Sequence, residues 1–175
     1  MIGLAHVRTM AAYNKWQNNS LYLASDTLDD GARRLERGAF FGSIHGTLSH
    51  LLWGDRTWMN RFAGTAKPTQ SNFMGSVKEV GDWQDLKSTR AEMDQFIIDW
   101  ALNLSEEVLA RDLSWFSNAM QAEFSKPMWV LVTHFFNHQT HHRGQVHAML
   151  TATGAKPDDT DLFIMPEDYA IEADD

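Results

Sequence analysis

Apolar residues recur along this chain at intervals of three and four more often than two. Leu4, Val7, Met10, Ala11, Trp16, Leu21 and Leu23 follow that period and predict a first helix from about Gly3 to Thr27. The turn DTLDDG closes it, and GARRLERGAFFG reads as a connection. A second helix is predicted from about Ser43 to Ala63. Ser43 would cap it, Ile44, Leu48, Leu51, Leu52, Trp58, Met59 and Phe62 form its core side, and Gly64 stops it. The stretch GTAKPTQSNFMGSVKEVGD, rich in Gly, Pro, Ser and Asn, reads as a long surface loop, and loops of that length often carry function. A third helix follows from about Asp82 to Leu104.

Between Ala110 and Pro127 the period changes. RDLSWFSNAMQAEFSKP offers two short extended pieces around the turn-like Ser117 and Asn118, which predicts a small hairpin. Ser125 as a cap and Pro127 in the first turn then launch a fourth helix, from Lys126 to about Ala152, closed by Gly154. Four helices of this length predict an all-α four-helix bundle with a short β-hairpin before the last helix, one domain spanning 1–175. Cores of such bundles commonly house metals and cofactors.

Composition narrows the function. No apolar run approaches the roughly 18 to 20 residues needed to cross a bilayer, so no membrane partner is expected. MIGLAHVRTMAAYNKW lacks the features of a secretory signal, which predicts a cytoplasmic location. With no cysteine, a metal site must be built from His, Asp, Glu, carbonyls or water, and a reactive thiol must come from a substrate. A net charge of −8 and a pI near 5.4 oppose binding to a phosphate backbone, so nucleic acid is not an expected partner. The acidic tail PDDTDLFIMPEDYAIEADD reads as a solvated terminus partly pinned by Leu162 to Met165.

The candidate chemistry lies in HFFNHQTHHRGQVH, residues 134–147, which holds five of the eight histidines. On a helix, His134, His138 and His142 form a ladder on one face, while His141 and His147 point elsewhere. A His-x-x-x-His pair can grip one divalent metal, or simply line a polar face. A third ligand would have to come from another helix. The second helix offers His45 and His50, about 140° apart around its axis. Gly46 and Gly54 beside His50 would let a facing helix approach closely. Gln139 follows His138 where a metalloprotease helix would carry Glu, and no Glu-x-x-His of the di-iron bundles occurs, so a mononuclear site is expected.

NHQTHHRGQVHAML at 137–150, SIHGTLSHLLWGDRTWMNRF at 43–62 and YNKWQNNSLY at 13–22 resemble the DinB-like (DinB/YfiT) family of metal-dependent bundles. With the hairpin and the tail, the resemblance covers nearly the whole chain. It implies three histidines on one divalent cation, zinc or nickel, with His50, His138 and His142 matching the ligands. His134 and Asp55 are candidates for an outer layer around them. For Asp55 and Arg56 the simpler reading is a solvated pair. The resemblance also implies a homodimer.

Three neutral imidazoles leave a coordination position open, the pattern of a catalytic site. Characterised relatives in the wider superfamily are thiol transferases using mycothiol, bacillithiol or glutathione. The leading expectation is therefore a metal-dependent thiol S-transferase whose small-molecule substrates include a low-molecular-weight thiol. The alternatives are a stress-associated metal-binding protein without turnover, and a metal-dependent hydrolase. The long loop at 64–81 and the hairpin near Asn118 are expected to border the pocket.

Overall fold

The computed structural model describes residues 1–118 and 120–171. Four long helices, α1 (Leu4–Asp26), α3 (Ile44–Ala63), α4 (Trp83–Asn103) and α6 (Met128–Ala152), make the expected all-α bundle. Two short helices lie between them, α2 (Asp30–Arg34) and α5 (Glu106–Ala110). The antiparallel hairpin of β1 (Asp112–Ser117) and β2 (Ala122–Pro127) precedes α6, with Trp115 paired to Phe124.

The caps explain the boundaries. Ser43 accepts the Gly46 N–H at the start of α3, and Asp82 accepts the N–H groups of Gln84 and Asp85 at the start of α4. Gly64 ends α3 with φ 69°, the left-handed cap that glycine adopts without strain. Asp29 caps α2 inside what the sequence suggests is plain connection.

The start of α6 differs from the sequence expectation. Ser125 does not cap it; the hairpin claims Ser125, which pairs with Ser114 and holds its hydroxyl at 2.9 Å. The strand runs to Pro127, and the helix begins at Met128, whose N–H donates to the Arg111 carbonyl at 2.8 Å. Proline has no N–H to lose at that boundary.

The bundle core divides into two apolar clusters. One contains Leu21, Ile44, Leu48, Leu86, Val146 and Leu150; the other contains Val7, Met59, Ile97, Val132, Phe135 and Phe136. Order along each helix gives the topology: α1 and α6 pass from the second cluster to the first, and α3 and α4 pass from the first to the second. The connection from α3 to α4 must therefore return along the length of α3, roughly 30 Å for its 20 residues. That crossover is the reason for the long loop at 64–82.

The crossover is more than a surface loop. It contains a 3₁₀ segment, Phe73–Lys78, packed on α3, and buries Ser76 and Glu79. The Glu79 carboxylate accepts the N–H groups of Thr69 and Gln70 and pairs with Arg56, which holds the loop down.

Between the apolar clusters lies a buried polar layer contributed by all four long helices. Arg90 bonds Asp55 at 2.5 Å and lies 2.9 Å from Asp94. Asn18 donates to Asp94 at 2.8 Å, Gln139 donates to Asp55 at 2.8 Å, and Arg143 donates to Asn14. Asp55 and Arg56 are thus no solvated pair: Asp55 is buried against Arg90, and Arg56 turns to Glu79.

The tail also departs from expectation. Polar side chains of α1 fasten it: Tyr13 donates to the Thr160 carbonyl at 2.6 Å, Gln17 to the Asp159 carbonyl at 2.8 Å, and Asn19 to the Tyr169 hydroxyl at 2.9 Å. Of the expected anchor Leu162 to Met165, Leu162, Phe163 and Ile164 are exposed and Met165 is half-buried. The final residues of that acidic run, 172–175, lie outside the described residues.

Candidate metal centre

Helical spacing stacks His134, His138 and His142 along one face of α6, and that face meets α3. Gly54 makes the meeting close. A Cβ built there would lie 2.9 Å from His138 Cε1, so the imidazole occupies the space a side chain would need. One turn before Gly54, His50 projects from α3 into the same seam.

His50, His138 and His142 come together: each offers a ring nitrogen within 4.8 Å of the others. Nε2 of His50 and Nε2 of His138 are 3.2 Å apart. Two ligand nitrogens on one tetrahedral zinc, each about 2.0–2.1 Å from it, stand roughly 3.4 Å apart.

Two hydrogen bonds set the tautomers. The Ser76 hydroxyl donates to the Phe73 carbonyl at 2.6 Å, so its oxygen accepts the His50 Nδ1 proton at 2.8 Å. The His142 Nδ1 proton goes to the Gln145 amide oxygen at 2.8 Å, an acceptor only. Both imidazoles are left with a free lone pair on Nε2. Such a second hydrogen bond orients most metal-binding histidines.

The surroundings keep these rings neutral. Phe41 stacks on His50 with centroids 3.7 Å apart and meets His142 edge-on at 5.2 Å, while Phe73 meets His50 edge-on at 5.4 Å. Burial first, and then the neighbouring imidazoles, push His50 and His138 each down to about 3; burial also lowers His142. Neutral imidazoles are the form that binds a metal. The donor set therefore fits one divalent transition ion, since imidazole suits zinc and nickel and the described cluster contains no thiolate or carboxylate.

The other histidines lie apart from this cluster. His134 is the next rung of the ladder, exposed, with its ring 6.1 Å from that of His138 and 5.2 Å from that of Trp58. His45 is buried on another face of α3 and gives its Nε2 proton to the Val80 carbonyl at 3.1 Å. His6 and His141 are exposed, and His147 is partly so. Asp55 reaches no histidine; it joins the polar layer through Arg90 and Gln139. Because Gln139 follows His138 directly, that bond ties α3 to α6 beside the cluster.

Sequence reasoning missed Ser76, Phe41 and Gln145. Gln145 was within reach, three residues beyond His142 on the same helical face. Nothing in the local sequence marks Ser76, which reaches His50 only through the path of the crossover.

A bundle whose core seam gathers three convergent, neutral histidines defines the class: a helical protein with a site suited to one metal ion. The DinB family model matches residues 4–172, and the chain belongs to the DinB family. The curated Protein DinB of Bacillus subtilis (strain 168) is 27% identical over 160 residues, spanning 87% of this chain and 90% of that protein. No solved structure matches the chain. Among the described residues, no helix is long and apolar enough to cross a membrane.

Proposed function

We propose that this chain holds one divalent ion, zinc or nickel, on His50, His138 and His142, and serves as a thiol S-transferase for a small electrophile. The observation that carries the reading is the 3.2 Å approach of two Nε2 atoms, with the His50 proton committed to Ser76. When bound, such an ion supplies a Lewis acid that lowers the pKa of a coordinating thiol.

The chain's own residues provide the rest. Ser76 and Gln145 orient His50 and His142, and Phe41 and Phe73 exclude water on one side. Exposure rises along the seam from fully buried His50 and buried His142 through half-buried His138 to exposed His134. In the overall reaction the thiol gives its proton to solvent, its sulfur forms a bond to the electrophilic carbon, and the leaving group departs from that carbon with the bonding electron pair, so that thiol and electrophile become a thioether and the protonated leaving group. No cysteine of the chain competes for the electrophile. Hydrolysis is less well supported, because the one acidic group expected nearby, Asp55, is committed to Arg90 and Gln139.

The test is metal content of untagged protein, followed by a panel of small thiols and alkylating electrophiles. About one ion per chain is expected, lost in His50→Ala, His138→Ala and His142→Ala and kept in His134→Ala. A metal-loaded protein inert to the whole panel would instead favour binding without turnover.

A further inference from the structure

The seam that gathers the histidines continues beyond them. On α3, His50, Gly54 and Trp58 follow one another at intervals of four; on α6, His142, His138 and His134 run the opposite way beside them. Gly54 meets His138, and Trp58 meets His134 edge-on at 5.2 Å. At the far end Arg61 lays its guanidinium over Trp58 at 4.5 Å and over Trp115 of the hairpin at 5.4 Å. The two indoles meet edge-on at 6.0 Å.

Arg61 differs from the other arginines. Arg8, Arg33, Arg34, Arg37, Arg56, Arg90, Arg111 and Arg143 each donate to a protein oxygen. Among the arginines, Arg61 alone has neither a hydrogen-bond acceptor nor an acidic partner among the described residues. Its guanidinium carbon sits over two indole rings, and no acceptor among the described residues takes its N–H groups. A guanidinium fixed in that way presents the fork geometry that suits a carboxylate. In a chain with net charge −8, a guanidinium at the end of the histidine seam with no acidic partner among the described residues stands out.

We infer that Arg61, with Trp58 and Trp115, forms a subsite for a carboxylate of the molecule that reacts at the histidine cluster. Gly54 and Arg61 are seven residues apart, about 10 Å along the helix axis. An extended molecule the size of a tripeptide spans roughly that distance. A carboxylate-bearing thiol of di- or tripeptide size can therefore place sulfur near His138 and its acid group on Arg61, passing over His134. This assignment of substrate class rests on the transferase reading; the subsite itself does not need the metal.

The experiment uses the full chain and two probes that cannot react through sulfur, S-methylglutathione and its diethyl ester. Calorimetric titration is done on wild type, Arg61→Lys, Arg61→Met and His138→Ala. The acid should bind wild type on the order of tenfold tighter than the ester. That preference should vanish in Arg61→Met, survive in part in Arg61→Lys, and persist in His138→Ala. If Arg61 only clips the hairpin to α3, Arg61→Met lowers the melting temperature and leaves the preference unchanged, which overturns the proposal. Equal binding of acid and ester to wild type, or binding of neither, overturns it as well. Thiol transfer that fails while the Arg61-dependent preference remains removes the transferase reading and leaves the subsite. Transfer that proceeds equally with an esterified thiol does the reverse.

Discussion

Replacing Gly54 with alanine separates the candidate metal site from the fold that carries it. The added Cβ would sit 2.9 Å from His138 Cε1, whereas ordinary carbon–carbon contacts lie at about 3.5–4.0 Å. Gly54 is buried in the middle of α3, so the histidine ring must give way, by roughly 0.6–1 Å on the same scale. Metal–nitrogen distances tolerate about 0.2 Å. A displacement several times that tolerance should weaken zinc binding by tenfold or more.

Fold stability should move the other way. Glycine inside a helix costs about 0.5–1 kcal/mol relative to alanine. The metal-free variant should therefore melt no lower than wild type, and up to about 4 °C higher for a domain of this size. Gly144 is the control. It lies in α6, two residues past His142, is exposed, and a Cβ there meets nothing within 4 Å. Gly144→Ala should bring the same helix gain without loss of metal. The assay is zinc titration beside thermal unfolding of the metal-free proteins. Wild-type zinc affinity in Gly54→Ala would refute the role given to His138 in the seam.

Ser76→Ala removes the acceptor that fixes the His50 tautomer; zinc affinity should fall about 10–100-fold, measured by competition with a chelator, with the fold retained. Asp55→Ala breaks the polar layer and leaves Arg90 with Asp94 alone. Destabilisation should reach about 3–5 kcal/mol in urea unfolding, and a loss below 1 kcal/mol would contradict the buried-pair reading. Metal-free protein should lose stability as pH falls from about 6.5 towards 3. His50 and His138 are held near 3 in the folded chain, so the unfolded chain takes up their protons first across that window. A His50→Gln, His138→Gln double variant should show a shallower slope in urea titrations between pH 6.5 and 4.5.

The helices were legible because their apolar faces repeat with the helical period and because Ser43, Asp82 and Gly64 carry cap chemistry. The α6 ladder was legible for the same reason, since positions four apart must share a face. What could not be read locally depends on the partner each residue meets. Ser125 looks like a cap until the hairpin register pairs it with Ser114. Leu162 to Met165 look like the anchor, yet Tyr13, Gln17 and Asn19 fasten the tail and the first three of those apolar residues stay exposed. The polar layer hides in a similar way. Asn14, Asp55, Arg90 and Gln139 each resemble the edge of a solvated face on a single helix, and only the packed bundle puts them at one level.

Topology links that layer to the candidate metal centre. Because α3 and α4 run in the same direction, their connection has to travel back along α3, and on the way it lays Ser76 against His50. The Asp55–Gln139 bond stands beside Gly54 and His138 and resists sliding of α3 along α6. A slip of one residue along either helix would displace its side chains by about 1.5 Å, well beyond what a metal bond tolerates. Three histidines from two helices can thus share one ion only while the crossover and the polar layer both hold, and damage to either should reach the metal without touching a ligand.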